Sequence, residues 1–373
     1  MKKATFRLAA LVMLLGGGAS VNAQTADAIN VVTTAVPFLR ISPDARAGGM
    51  GDVGIATAPD ANAAFWNLGK TPFAKQKSSV SVTYTPWLKD LGLNDVFLAA
   101  VAGYYQLDET SAVSAGFRYF SLGSIQFTDA SGTPLNSGRP REFGFDLGYS
   151  RKLGEKSGLG VALRYISSDL ANGASSSGTT YKKGSAVAGD LHYYHNGTKG
   201  LNWGVTLSNL GSKISYTNDA NQKDYIPANL GVGAAYTKVL DEDNKLTFAL
   251  DLNKLLVPTP DTSAAGIAEY RSKGVVSSWF SSFGDAPGGG SEEIKEISAS
   301  IGAEYWYKEQ FAFRAGYFYE NPLKGNRKYF SVGAGLKYNT FGLNFAYLLP
   351  SGSGTNRNPL SNTLRFSLVF DVK

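Results

Sequence analysis

Residues 142–150 read EFGFDLGYS. Phe143, Phe145, Leu147 and Tyr149 recur at every second position, with Gly144, Asp146, Gly148 and Ser150 between them. Successive side chains of a strand point to opposite faces, so this spacing builds one greasy face and one small or polar face. The pattern returns in LNWGVTLSN (201–209), LTFALDLN (246–253) and TLRFSLVFDV (363–372). Similar segments span 78–88, 96–106, 111–122, 142–152, 158–168, 186–196, 200–210, 228–238, 244–255, 295–308, 311–320, 329–339, 342–349 and 362–372. That predicts about fourteen strands of roughly ten residues, the length a tilted strand needs to cross a bilayer.

The connections alternate in length. LDET, GEKS, NGTKG, LDEDN, KEQ and NTFG are tight and polar, whereas the links within 123–140, 169–185, 211–227, 257–293 and 350–361 are long. Tight turns on one rim and long links on the other are the pattern of an outer-membrane barrel, and a soluble sandwich has no reason to sort its links this way. The link near Leu88–Asp95 is the short exception on the long rim. Aromatics including Tyr84, Trp87, Tyr104, Tyr149, Tyr165, Tyr236, Tyr319 and Tyr338 fall toward segment ends, where an interfacial girdle sits. The fold expected is an all-β transmembrane antiparallel barrel over residues 77–373. Its closing alternation, Leu364 to Phe370, resembles a barrel-insertion signal and also serves as a last strand.

Composition agrees. The chain has 373 residues, 43 of them glycine, with 12% aromatic and only 18% charged residues. It holds no cysteine, which excludes a disulfide framework, a thiolate metal site and a cysteine nucleophile. The two histidines, His192 and His195, leave little for metal binding or acid–base work. The net charge of +6 is not gathered into a basic run, so nucleic acid is not an expected partner. Lys2, Lys3 and Arg7 followed by LAALVMLLGGGA and Val21-Asn22-Ala23 read as a secretory signal over residues 1–23, cleaved before Gln24. The apolar run is too short for a membrane anchor, and no later stretch offers the roughly twenty apolar residues a spanning helix needs.

Between the signal and the first strand lies a glycine- and alanine-rich segment, residues 24–76, that has no sustained period. Met50, Phe65 and Trp66 are poor choices for a solvated leader, and disordered segments are usually poor in aromatics. Fourteen strands enclose a lumen wider than their own side chains fill. Residues 35–75 are therefore expected to plug it, with the alternative a disordered leader. The inward phase carries Arg118, Asp146, Arg164, Asp190, His192, Asp251, Glu304, Arg314, Glu320, Lys337, Arg365 and Asp371. Such residues serve either as a paired polar lining that holds wall and plug together or as a selective path.

Enzyme motifs are missing: neither G-x-S-x-G nor H-E-x-x-H occurs, and PGGGSEE at 287–293 lacks the lysine of a phosphate loop and reads as a loop tip. No catalytic residue, cofactor or metal is expected. The link 257–293 is the best contact candidate, because Val275, Val276, Trp279, Phe280 and Phe283 form an apolar cluster in a polar rim. These side chains either meet a partner or fold back over the barrel mouth.

The stretch ARAGGMGDVGIATAPDANAAFWNLGK (45–70) resembles the amino-terminal signature of the PorV/PorQ group of FadL-like barrels. The likeness rests on Ala47 to Asp52, with Asp52 after the glycines, and then on Asp60, Ala61, Asn62, Ala63, Ala64 and Asn67. Leu68 and Gly69 stand where the group has proline and alanine. With the preceding VPFLRISPD the segment looks more specifically like PorV. The resemblance implies fourteen strands and an amino-terminal hatch made of Met50, Asp52, Asp60, Asn62, Phe65, Trp66 and Asn67. It also implies an outer-membrane component of the type IX secretion system, with long loops outside the cell. Its partners would be the translocon barrel, the C-terminal signal domains of cargo, and the surface sortase complex. A FadL-like transporter of hydrophobic small molecules is the alternative.

Overall fold

The computed structural model describes residues 29–89, 92–128, 131–171, 173–176, 178–219, 222–259, 263–349 and 362–372. The expected signal (1–23) and the link 350–361 lie outside the described residues. Among the described residues, fourteen antiparallel strands close into one cylinder. They are β1 (Ser78–Pro86), β2 (Val96–Gln106), β3 (Ser111–Leu122), β4 (Arg141–Lys152), β5 (Ser157–Asp169), β6 (Gly184–Asn196) and β7 (Leu201–Gly211). β8 (Asn229–Val239), β9 (Asn244–Leu255), β10 (Ser298–Tyr307), β11 (Phe311–Tyr319), β12 (Lys328–Tyr338), β13 (Phe341–Leu349) and β14 (Leu364–Val372) complete it. Each strand pairs with its neighbour in sequence, and the cylinder closes where β1 meets β14, from Ser78 opposite Val372 to Tyr84 opposite Phe366. No edge remains open, so the wall's strands are paired all the way round, which hydrocarbon surroundings demand.

The period-two pattern decides the faces. In β4, Leu147 is 55% exposed and the adjacent Asp146 only 2%. Val80, Val82, Leu163, Trp203, Phe248, Ile301, Phe330 and Leu368 likewise point outward. An apolar belt of this extent belongs in lipid. No helix among the described residues is long and apolar enough to cross a membrane. Tyr84, Tyr149, Tyr165, Tyr236, Tyr319 and Tyr338 are exposed on the outer face.

Two of the expected girdle residues belong elsewhere. Tyr104 falls on the inward phase of β2, where its hydroxyl donates to the Gln76 carbonyl. Trp87, just past the end of β1, turns inward and packs edge-on against Phe120. The long links are also more structured than their composition suggests. Ile125–Thr128 pairs with Pro134–Gly138, and the link after β9 carries α-helices over Ala264–Ser272, Val275–Ser281 and Gly290–Lys295. The last of these corrects the loop-tip reading of PGGGSEE. Glu292 accepts from the Gly288 amide and Glu293 from the Ala286 amide, so two carboxylates satisfy donors ahead of the first turn. That helix also delays the extended chain, and β10 begins at Ser298 rather than near 295.

Candidate functional site

Residues 36–75 run inside the cylinder, and their contacts build upward from small residues. Gly51 takes a left-handed backbone (φ 73°), and a Cβ there would lie 2.6 Å from the Tyr317 amide nitrogen. Across from it, a Cβ at Gly316 would stand 2.0 Å from the carbonyl carbon of Met50. Glycine on both surfaces lets backbone lie directly on wall. Met50 is consequently fully buried, in a cluster with Val53, Ala56, Ala235 and Ala249. Trp66 covers Gly54, and its indole N–H donates to Asp44 at 2.7 Å. Phe65 lies under the Arg118 guanidinium, 4.9 Å from ring centroid to Cζ.

Charge fixes this segment to the wall at several levels. Arg46 forks onto Glu304 of β10 with two bonds of 2.9 Å and reaches Asp60 at 2.8 Å. Arg314 of β11 donates to the same Glu304 at 2.7 Å and to Asn344 at 2.9 Å. Asp52 accepts from Arg365 of β14 at 2.7 Å and from the Tyr329 hydroxyl. Asp251 of β9 accepts the Gly54 and Ile55 amides at 2.7 and 2.9 Å. The Leu68 amide donates to Nδ1 of His192 at 3.0 Å, which places the ring's proton on Nε2. Arg118 donates to the Leu39 carbonyl at 3.0 Å.

Asn67 bridges the Ile55 and Tyr193 carbonyls, and Asp60 caps the Asn62 amide at 2.9 Å. Lys70 is buried and donates to the Gly54 carbonyl at 2.7 Å and to Thr57 at 3.3 Å. Burial pushes its ammonium down to about 8. Burial, helped by the neighbouring Asp60, pushes the Asp44 carboxyl up.

Glu320, just past β11, also meets the inner segment, accepting from Arg40 at 3.1 Å and from Arg327 at 2.8 and 2.9 Å. The other sequence-selected charges pair within the wall. Arg164 joins Asp146 and Asp190 across β4, β5 and β6, with the Asp190 contact at 2.8 Å. Asp190 also accepts the amide of Asn209, whose left-handed backbone (φ 59°) marks a register break between β6 and β7. Lys337 pairs with Asp371 at 2.6 Å near the short-turn rim. Between the inner segment and the wall lies a cavity of about 390 Å³. Phe38, Leu39, Trp87 and Phe120 line it together with Arg40, Arg118, Arg164, Arg327 and Arg365.

On the long-link rim the aromatic cluster divides. Val275 packs against Val32, Tyr225 and Val257, and Trp279 is half-buried. Val276, Phe280 and Phe283 are exposed, Phe280 at 75%. Their spacing of four and then three residues aligns them on one side of the Val275–Ser281 helix and the turn after it. Beneath them Lys254 pairs with Glu293 at 2.8 Å and Glu296 at 2.6 Å, and Lys324 with Glu292 at 2.5 Å and Glu296 at 3.0 Å.

Sequence reading did not single out Arg46, Lys70, Tyr329 or Lys254. Arg46 and Lys70 carried a usable signal: a lone cation in a segment read as buried must find a partner. Lys254 did not, because it occupies the outward phase of β9 and is covered only by the following link. Ser157 comes within 3.3 Å of His195 Nδ1 and 2.8 Å of the Tyr193 hydroxyl, while His195 stacks on Trp203. Among the described residues no carboxylate bonds that ring and no acidic or histidine cluster has metal-site geometry.

The cylinder is similar in fold to solved structures at very low identity. The Ralstonia pickettii toluene transporter TbuX aligns at 12% identity and TM-score 0.53, over 89% of this chain and 98% of that one. A Pseudomonas aeruginosa FadL homologue aligns at 12% identity and TM-score 0.51, over 93% of this chain and all of that one. At that identity the likeness concerns the fold. No curated protein matches the chain. The family model for the type IX secretion system protein PorV matches residues 23–262, well over half the length. A glycine-seated inner segment, a closed fourteen-strand wall and that match together identify the chain as a member of the PorV family of type IX secretion system proteins.

Proposed function

We propose that this outer-membrane barrel docks beside the type IX translocon, binds the C-terminal signal domains of arriving cargo, and passes cargo to the surface sortase complex. The long links face the cell exterior and the short turns the periplasm. The observation that carries the reading is the uncovered apolar stripe of Val276, Phe280 and Phe283 on the rim of a secretion-family barrel. Large hydrophobics aligned on one helix face, above a loop fixed by paired Lys254 and Lys324, suit a protein partner better than water. Residues 36–75 serve as the plug, and the Arg46–Glu304–Arg314 and Asp52–Arg365 contacts hold it in place.

Affinity purification from detergent-solubilised outer membranes tests this. The wild-type chain should bring down the translocon barrel and proteins that share a C-terminal signal domain. The triple change Val276→Ser, Phe280→Ser, Phe283→Ser should lose the translocon. Equal recovery of both partners would overturn the loop assignment.

Uptake of hydrophobic small molecules is the second reading. It draws on the cavity beneath Phe38, Trp87 and Phe120 and on the fold shared with TbuX. Five arginines in the lining weigh against an apolar conduit. Binding of a radiolabelled hydrophobic ligand to the purified barrel separates the two.

A further inference from the structure

The inner segment does not begin in the lumen. Residues 29–35 lie among the long links, at the opposite end of the cylinder from Ser78, where β1 starts beside the short turns. The Asn30 amide donates to the Leu323 carbonyl at 3.3 Å, and its side-chain amide donates to Glu292 at 3.4 Å. Val32 is buried with Tyr225 and Val257, and Tyr270 and Val275 pack against that cluster. The Tyr270 hydroxyl donates to the Thr33 carbonyl at 3.2 Å, and the Ala35 amide to the Tyr225 carbonyl at 2.9 Å. Seven residues therefore touch three separate links: 212–228, 256–297 and 320–327.

Tyr225 carries the contact further. Its hydroxyl donates to the Lys273 carbonyl at 2.7 Å, at the end of the Ala264–Ser272 helix. Lys213 stacks on the Tyr225 ring, 4.0 Å from its centroid, and donates to the Arg271 and Lys273 carbonyls at 2.8 Å each. The last carbonyls of that helix thus depend on a residue whose own backbone is held by Ala35.

Just beyond, Val36 adopts a left-handed backbone (φ 47°, ψ 50°) while its side chain is buried with Phe38 and Trp87. A β-branched residue takes that conformation only when its surroundings impose it. Here the chain is held above by the links and below by the core, and Val36 is the corner between them.

We propose that residues 29–36 are a staple that orders the long link after β9 and form part of the docking face itself. The staple sets the height and angle at which the Val275–Ser281 helix presents Phe280, and it leaves Ile29, 72% exposed, on the same rim. The ordering role stands on the contacts above; the docking role rests on the function proposed for the loop.

Two measurements on the full-length chain test it. The first replaces residues 29–34 with a glycine–serine sequence of equal length. Tryptic cleavage after Arg271 and Lys273 should quicken about tenfold, with barrel folding verified by unheated gel mobility. Tyr270→Phe, which removes only the donor to Thr33, should give a smaller increase in the same bonds. Unchanged cleavage in both variants would overturn the staple. Faster cleavage with undiminished translocon capture would keep the staple and sink the docking role; lost capture with unchanged cleavage would do the reverse.

The second uses the absence of native cysteine. Ile29→Cys in intact cells should react with a membrane-impermeant maleimide whenever Gly274→Cys does, and not when Glu155→Cys in a short turn does. Labelling of Ile29→Cys with the Glu155→Cys pattern would place residue 29 on the wrong rim and end the proposal.

Discussion

The lumen and the long-link rim treat the same residue types in opposite ways. Inside, Phe65 and Trp66 are each covered, one by a guanidinium and the other by backbone at Gly54. On the rim, Phe280 is 75% exposed, and Phe283 stays exposed although the Lys254 ammonium lies 5.9 Å from its ring centroid. Inside, Glu304 collects two arginines from different elements. On the rim, Glu292, Glu293 and Glu296 gather two lysines beneath the helix but leave its upper face bare. The lesson is that buried charge fixes position in both places, whereas apolar surface is spent on internal contact in one and left available in the other.

The largest break in this contrast should come from Arg46→Ala. It strips Glu304 of a forked partner and Asp60 of its cation, and removing one member of a buried pair costs about 3–5 kcal/mol. Denaturant unfolding of the detergent-solubilised barrel reads that loss, and a shift no larger than that of an exposed lysine change would refute a tight luminal fit. Gly316→Ala comes next. Its methyl would collide with the Met50 backbone, and overpacking of this kind costs about 1–3 kcal/mol. The wall should still close, seen as normal mobility in unheated gels, while protease reaches residues 45–55.

Lys70 gives the inner region a pH signature that its own substitution can isolate. Its ammonium sits at about 8 in the folded protein against 10.5 when unfolded, so the unfolded chain holds the proton more tightly between those values. Stability is lowest below about pH 8 and climbs as pH rises from there toward 10.5. Lys70→Met should flatten that rise in a series of unfolding midpoints, and an unaltered slope would assign the effect elsewhere. The smallest stability effect belongs to Phe280→Ser, within about 0.5 kcal/mol as for other exposed positions. Partner capture should nevertheless fall, which is the sharpest form of the contrast.

The wall was readable because a strand's period is two and little interrupts it, the break at Asn209 between β6 and β7 being an exception. EFGFDLGYS predicts Asp146 inside and Leu147 outside from spacing alone, and the bounds of β2, β3 and β9 coincide with the expected segments. The luminal partners were not readable. Arg46 and Glu304 stand 258 positions apart, and only the combined register of the intervening strands brings them together. The link after β9 has no sustained period either, so Val275 turning inward while Val276 turns outward could not be read from composition. Trp87 and Tyr104 show a related limit: an aromatic near a strand end says little about which side of the wall it takes.

The seam between β1 and β14 carries one last consequence. The first and last strands to leave the ribosome are the ones that must meet, and the residues they enclose precede them both. A finished cylinder offers no route by which a segment touching both mouths could be inserted sideways. Either the sheet closes around its own leading end or that end enters through a mouth, and only the first order would let a delayed final strand leave that end free to withdraw.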